Sequence, residues 1–382
     1  TATEATETGL NLQPGVTYYW YVKATNGVGQ TSTTGASDGI RVDGTPPSTP
    51  VVVDQGTYAP NNGRLSASWS ATDAESGIAE YQYAIGDSPS DPGSGYLVGW
   101  KSSGTATAAQ ETGLAGLGGR TLYWYVRAQN SMGVWSPVGV SDGIAVVATM
   151  VDTPGQAKLS PNNALLGLRD VVVTATAAQM LDRIYVEKQD RSSGLAVQTP
   201  AALLEGDVVD IAGRMATTSD GERIIADATV DILSHGVPLQ PLRMNLGNAA
   251  SGSFYFNAAT GAGQRGVTDP PGQRTSTVGL LVRVTGLVMD VSSDSTLIFI
   301  NDGSWPLLTG ARVERRNLPA LSEWDYVEIT GISSIRRAAS AYQLFIRPRT
   351  ISDTVIVEQA SGGAMPANLR SFYQGPLPPD ER

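Results

Sequence analysis

Side chains able to do chemistry are few and scattered in this 382-residue chain. The single histidine, His235, lies between Ser234 and Gly236. A Ser–His–Asp set would need both partners beside it in space, and no motif marks them, so His235 reads as a structural or solvated loop residue. Cysteine is absent, which removes disulfides and thiolate metal ligands. Carboxylate pairs occur at Asp73/Glu75 and Asp207/Asp210. A Ca²⁺ ion takes about six to eight oxygens, and Asp73 with Glu75 suggests only two, so this pair reads as turn capping. Glycoside hydrolysis needs two carboxylates placed across a cleft, and nothing marks such a pair. Gly261 to Gly266 spells GxGxxG, but no helical pattern follows it. We expect no catalytic residue, no cofactor and no metal, and a chain that is not an enzyme.

Arginines gather late in the chain, at Arg312, Arg315, Arg316, Arg336, Arg337, Arg347 and Arg349. A basic groove with aromatics would suit a nucleic-acid single strand. The same region carries Asp290, Asp294, Asp302, Glu314, Glu323, Asp325, Glu328 and Asp353, so with Arg283 it is neutral. Salt-bridged strand faces are the preferred reading, and a subunit contact is the second. The net charge of −10 is diffuse, which argues against a nucleic-acid footprint and suits a soluble surface that resists non-specific association. No apolar run reaches the ~20 residues of a membrane-spanning helix. The polar start Thr1-Ala2-Thr3-Glu4 lacks the basic opening of a signal peptide.

These groups sit on strands. Gly and Pro number 43 and 22, Thr, Val, Ser and Ala are plentiful, and long helical patterns are missing, so the fold class is all-β. The segment Gly119 to Asn130, GRTLYWYVRAQN, echoes Gly15 to Asn26, GVTYYWYVKATN, 104 residues earlier. Each is followed by a Ser-Asp-Gly-Ile tail, at Ser37 to Ile40 and Ser141 to Ile144, with the same offset. Alternation puts Tyr18, Trp20, Val22 and Ala24 on one face and Tyr19, Tyr21, Lys23 and Thr25 on the other. In the second copy Leu122, Trp124, Val126 and Ala128 point inward, and Tyr123, Tyr125, Arg127 and Gln129 outward. Exposed Tyr19, Tyr21, Tyr123 and Tyr125 would serve as an interface or as sugar-stacking residues, or equally as rings stacked beside Lys23 and Arg127 on a solvated sheet.

The order Leu10-x-Leu12-x-Pro14-Gly15-x-Thr17-Tyr18, then Ala24-Thr25-Asn26, resembles strands E, F and G of a fibronectin type III domain. Thr45-Pro46-Pro47-Ser48-Thr49-Pro50 resembles the proline-rich start of the next, Trp69 occupies the place of the family's core tryptophan, and Asp73 to Ile78 resembles the B–C corner of bacterial members. The tyrosine-corner position is Tyr18 in the first copy but Leu122 in the second, so the resemblance implies a corner hydroxyl bond only in the first. Residues 45–148 would form a complete sandwich. Residues 1–44 would form the C-terminal half of one, leaving the core face Tyr18, Trp20 and Val22 to be covered from elsewhere, by an upstream part of a longer chain or by a donated strand.

Past a linker at 149–163 the grammar changes. Strands are expected at Val171 to Thr176, Arg183 to Glu187, Leu195 to Val197, after Glu205-Gly206 through Gly213, and at Glu222 to Ile225 and Ala228 to Ile232. A second pass runs from Leu280 to Val357, offset by 114 at Ile184/Ile298 and by 118 at the GDVVDIAG/WDYVEITG phrase. This resembles two tandem OB-type barrels, at 164–235 and 278–357. Between them, 236–277 reads as a connector and a long loop docked on a barrel, and 358–382 as an extended tail with little regular structure. The whole resembles the C-terminal region of large secreted bacterial surface proteins, which implies an extracellular location and a structural or assembly role, with other copies or neighbouring surface proteins as partners. A carbohydrate-binding accessory end of a secreted enzyme is the alternative, and single-strand nucleic-acid binding a second one.

Overall fold

The computed structural model describes residues 2–250, 254–257, 263–267, 276–292, 296–304, 310–338, 341–361 and 365. Of the tail expected at 358–382 only 358–361 and 365 are described, and much of the 252–277 loop lies outside the described residues. The chain divides into two units, one of Thr1–Gly56, Arg64–Leu114 and Arg120–Ala145, the other of Thr57–Gly63, Ala115–Gly119 and Val146–Arg382. Among the described residues no helix is long and apolar enough to cross a membrane.

The first unit holds a fibronectin type III-like sandwich. One sheet orders Ala108–Glu111, Leu65–Ser70 and Val51–Asp54; the other places Ile78–Gly86 between Val98–Gly104 and Thr121–Asn130, with Gly139–Val140 and Ile144–Val146 also on Thr121–Asn130. Trp69 and Trp124 are buried between the sheets, ring centroids 6.3 Å apart, with Tyr83 against both at 5.8 and 5.2 Å. The inward set Leu122, Trp124, Val126 and Ala128 is buried, as alternation predicts.

The 104-residue repeat is reproduced bond for bond. Thr17↔Arg41, Tyr18↔Ile40, Tyr21↔Ala36 and Val22↔Gly35 pair in the first copy, and Thr121↔Ala145, Leu122↔Ile144, Tyr125↔Val140 and Val126↔Gly139 in the second. Between the two short ladders the Trp has no strand partner on that edge, and the serine of the Ser-Asp-Gly-Ile tail supplies one. Ser141 N–H donates to the Trp124 carbonyl at 3.0 Å while Ser141 Oγ accepts the Trp124 N–H at 3.1 Å. Ser37 does the same for Trp20, at 2.9 and 3.0 Å. Ser32 and Ser136 repeat the device on Ala24 and Ala128. The glycine that follows is needed because Gly39 and Gly143 have φ of +95° and +98°, and a Cβ there would meet the Tyr19 or Tyr123 ring at 2.6 or 2.4 Å. The corner bond falls where expected, with Gln13 N–H donating to Tyr18 Oη at 3.0 Å.

One expectation is corrected. Leu10 and Leu12 form no strand. The second-copy strand that pairs with Leu65–Ser70 is Ala108–Glu111, whose counterpart is Glu4 to Glu7; that segment has no strand to bond and stays irregular.

In the second unit, Leu165–Ala175, Ile184–Lys188, Gly194–Val197, Asp207–Thr217 and Arg223–His235 close a barrel in the order first, second, third, fifth, fourth, first, with third and fifth parallel. Leu281–Val291, Leu297–Asn301, Ala311–Glu314, Tyr326–Ala338 and Ala341–Arg347 repeat that order, and Thr354–Glu358 adds to the fourth strand. This is the OB-type closure. Glu222 to Ile225 and Ala228 to Ile232 belong to one strand, carried past a register shift. Gly213 sits at that shift, where a Cβ would meet the Ala226 carbonyl at 2.8 Å. Gly206 (φ +92°) and Trp324 (φ +72°) hold the same left-handed place 118 residues apart, and the aspartate after each accepts a backbone N–H three residues back, Leu204 and Ser322.

The 149–163 linker is corrected too. Met150–Val151 pairs in parallel with Gly167 and Leu168, and the one-turn helix Pro154–Ala157 puts Ala157 in the barrel core. The connector repeats this, with Leu242–Arg243 parallel to Val282 and Arg283 and the helix Leu246–Ala249 in the second core. Thr153-x-Gly155-x-Ala157 and Asn245-x-Gly247-x-Ala249 are one signal, in which Thr153 and Asn245 cap the turn by accepting Gln156 and Asn248 N–H and the alanine plugs the barrel. Each module therefore begins earlier than its hydrophobic runs indicate.

Replacing Ser141 with alanine leaves the buried Trp124 N–H unbonded and is expected to cost about 1–3 kcal/mol, read as a lowered denaturant midpoint without change in slope.

Candidate functional site

The first copy carries an uncovered core face. Trp20 is 42% exposed and Val22 63%, whereas their counterparts Trp124 and Val126 are buried. Leu10, Leu12, Tyr18, Trp20, Ile40 and Val42 line a hollow of about 250 Å³. The expected face of Tyr18, Trp20 and Val22 is present, and among residues 2–44 no second sheet lies over it.

The tyrosine rows divide. Tyr19 and Tyr21 are exposed, Tyr21 at 67%. Tyr123 is half-buried on Gly143. Tyr125 is fully buried, which corrects its assignment as a surface contact. Its hydroxyl donates to the Ser88 carbonyl at 2.5 Å and its ring meets Tyr96 at 5.4 Å, because the loop after Ile78–Gly86 folds over the strand. The aromatic surface of the complete sandwich lies elsewhere, where Arg127 stacks between Trp100 and Trp135 at 4.5 and 4.4 Å. Strand alternation placed Arg127 outward, but only the fold brings it between two tryptophans.

Asp73 is the turn cap expected of it. Its Oδ1 accepts the N–H groups of Glu75, Ser76 and Gly77 at 3.1, 2.8 and 3.2 Å. Asp43 joins Asp73 and Glu75, their carboxylate oxygens lying within 4.8 Å of one another. The Asn130 amide fills the space between them, donating to Asp43 Oδ2, Asp73 Oδ2 and the Thr45 carbonyl, while its own oxygen accepts Met132 and Val134 N–H. The Asn that ends the repeat strand thus bridges the junction between the two copies. The bond from the Ser76 N–H, opposed by some burial and aided by Asn130, holds the Asp73 carboxyl below its ordinary value of 3.8.

Asp207 and Asp210 do not act as a pair. Asp207 meets His235 Nδ1 at 2.7 Å, and Asp210 accepts Asp170 N–H and the Asn62 amide. His235 therefore has a buried carboxylate partner, on a side chain that is itself largely in water.

Three of the late arginines, Arg316, Arg347 and Arg349, join the two barrels to each other. Arg349 bonds Asp353, the Thr174 carbonyl and Glu205; Arg316 and Asn317 reach the Gln179 carbonyl. Arg347 contacts Glu314 at 3.3 Å and Tyr185 Oη at 3.3 Å. Tyr185 Oη in turn bonds buried Glu222 at 3.0 Å, and Ser334 Oγ donates to the same carboxylate at 3.1 Å. Burial pushes Glu222 upward, with Arg183 and Arg347 opposing it, and burial with Glu222 pushes Tyr185 upward. Arg183, Thr218, Asp220, Arg336, Phe345 and Arg347 are among the residues around a polar pocket of 370 Å³ beside this network. Apolar contact completes the junction through Met180, Tyr185, Leu281 and Ile332. The 252–277 loop docks as expected in its described parts. Gln264 is buried and bonds Arg223 N–H and the Gly221 carbonyl, and Phe254 packs on the second core. Gly261 and Ala262 lie outside the described residues.

No protein-family model matches the chain, and no curated protein matches its sequence. Among solved structures it is similar to titin module A71 from human cardiac muscle, at 21% identity over 26% of this chain and 88% of that one, TM-score 0.20. It is also similar to the chicken CNTN1 FN1–FN3 domains, at 17% identity over 57% and 80%, TM-score 0.24, and to the twitchin kinase region from C. elegans, at 11% over 40% and 31%, TM-score 0.20. At these scores the likenesses carry no argument; strand order and register define the sandwich and the barrels.

Two outcomes are expected here. Since Asp73 is depressed in the folded state, its stabilisation is present above the ordinary carboxylate value and lost as pH falls below it. Acid titration of unfolding should therefore show a fall below about pH 4 that is smaller in Asp73→Ala. Glu222→Ala removes the buried acceptor of the Tyr185 and Ser334 hydroxyls and is expected to cost about 1–3 kcal/mol, measured by denaturant unfolding of the second unit.

Proposed function

We propose that this protein is an extracellular structural or assembly component of a bacterial surface layer, fibre or adhesin, and not an enzyme. What supports this reading is the tandem array of β modules, a fibronectin type III-like sandwich whose last strands recur 104 residues apart and two barrels of one strand order. Apolar side chains that are buried in one copy stand in water in the other, and burying such area contributes about 25 cal/mol per Å². A second sheet laid on Tyr18, Trp20 and Val22 restores the sandwich, whether it comes from the same polypeptide or from a neighbour. Tandem β modules, with hydrogen bonds and apolar contact between the two barrels, suit a spacer along an assembly. The acidic balance suits a surface that resists non-specific association.

The accessory carbohydrate-binding reading draws on Tyr19 and Tyr21, which offer exposed rings. Nucleic-acid binding draws less support from a net charge of −10.

Static light scattering at rising concentration, with and without the adjoining polypeptide, is expected to show association that buries Trp20, blue-shifts its emission and is weakened by Trp20→Glu. A species that stays monomeric with Trp20 in water under both conditions removes the proposal. Glycan-array binding abolished by Tyr19→Ala with Tyr21→Ala would favour the carbohydrate reading instead.

A further inference from the structure

The polar pocket of the barrel pair is built from both modules. The turn at 218–222 of the first barrel reaches the strand face of the second, where Arg337 N–H donates to Asp220 Oδ1 at 3.4 Å and Ser334 Oγ to Glu222. Gly221 lies flat on the Tyr342 ring, where a Cβ would come within 2.4 Å. The pocket's 370 Å³ falls in the range of small-molecule sites, about 300–1,000 Å³.

Its wall carries three arginines and three carboxylates, but the charges are not all paired. Each carboxylate on the wall is engaged: Glu222 by Tyr185, Ser334 and Arg183, Glu314 by Arg347 and Arg316, and Asp220 by a backbone N–H. Arg183 and Arg347 are engaged in return. Arg336 on the wall and Arg312 beside it are different. They project from one face of the second barrel, since Arg312 pairs across to Phe345 and Phe345 to Ser334, two residues from Arg336. Arg312 stands over the Phe299 ring at 5.5 Å and Arg336 over Phe345 at 5.7 Å. Among the described residues no carboxylate lies within ion-pair distance of either. Burial, and then the neighbouring Arg336, pull the Arg312 guanidinium below its ordinary value. Two cations held close, oriented by aromatic rings and left without an anion, are a recognition device for a planar or tetrahedral oxyanion.

We propose that this pocket binds a small ligand bearing a carboxylate or sulfate group, the charge held by Arg336 and Arg312 and the polar body of the ligand against Thr218, Ser219 and Ser334. The site goes beyond the assembly role and stands or falls separately from it.

The test is calorimetric titration of the whole chain at constant ionic strength, so that screening is the same throughout, with sodium sulfate, glucuronate, glucose and a short oligothymidylate. Sulfate or glucuronate is expected to bind one to one and glucose not to bind. Arg336→Gln and Arg312→Gln should each weaken binding by about tenfold, while Arg337→Gln leaves it unchanged. An unchanged thermal midpoint in both variants confirms the fold. Failure of both anions to bind overturns the proposal, as does equal binding of glucose or insensitivity to both arginine substitutions. Tighter binding of the oligothymidylate with the same arginine dependence also overturns it, in favour of a single strand.

Discussion

A strand exposes backbone donors and acceptors along both edges and an apolar side on one face, and both need partners. That demand shapes this protein throughout. In the complete sandwich it is met by a second sheet and, where the ladder breaks at Trp124, by the serine that donates and accepts in place of a strand. In the barrels it is met by closure, first strand to fourth. In the first copy the local devices are all present, down to the same hydrogen bonds on Trp20, yet the face they support is uncovered.

Closure of the barrels raises a different problem, because a buried charge needs its partner within reach. Glu222 and Tyr185 come from one module and Arg347 and Ser334 from the other, so neither barrel satisfies these groups alone. The junction is specified by polar matching around a small apolar cluster, and its residue of unmatched charge is the arginine pair at the pocket. The same late arginines that balance the acids by count are divided by the fold into those that lock the barrels together and those that have no anion.

Much of the architecture was legible in residue order. A constant offset of 104 residues announced the sandwich repeat, and alternation named its buried face correctly at Leu122, Trp124, Val126 and Ala128. The Tyr18 corner and the Asp73 cap were readable because both are local: each depends on residues within five positions. Tyr125 was misread because alternation says which side of a sheet a residue faces and says nothing of a loop that crosses that side. The plug helices were missed because a single turn carries too little hydrophobic period to register, although the Thr/Asn-x-Gly-x-Ala signal was there twice.

By itself, then, the order of residues determined what is local and periodic: strands, turns, caps, the two repeat families and the absence of cysteine chemistry. Tertiary structure alone decided which distant groups meet. Asn130 among Asp43, Asp73 and Thr45, Arg127 between Trp100 and Trp135, and Arg336 beside Arg312 are contacts between residues that have no fixed spacing to betray them. Side-chain partnerships across modules depend on how sheets twist, close and pack, and that geometry is set by the whole core and not by any one segment.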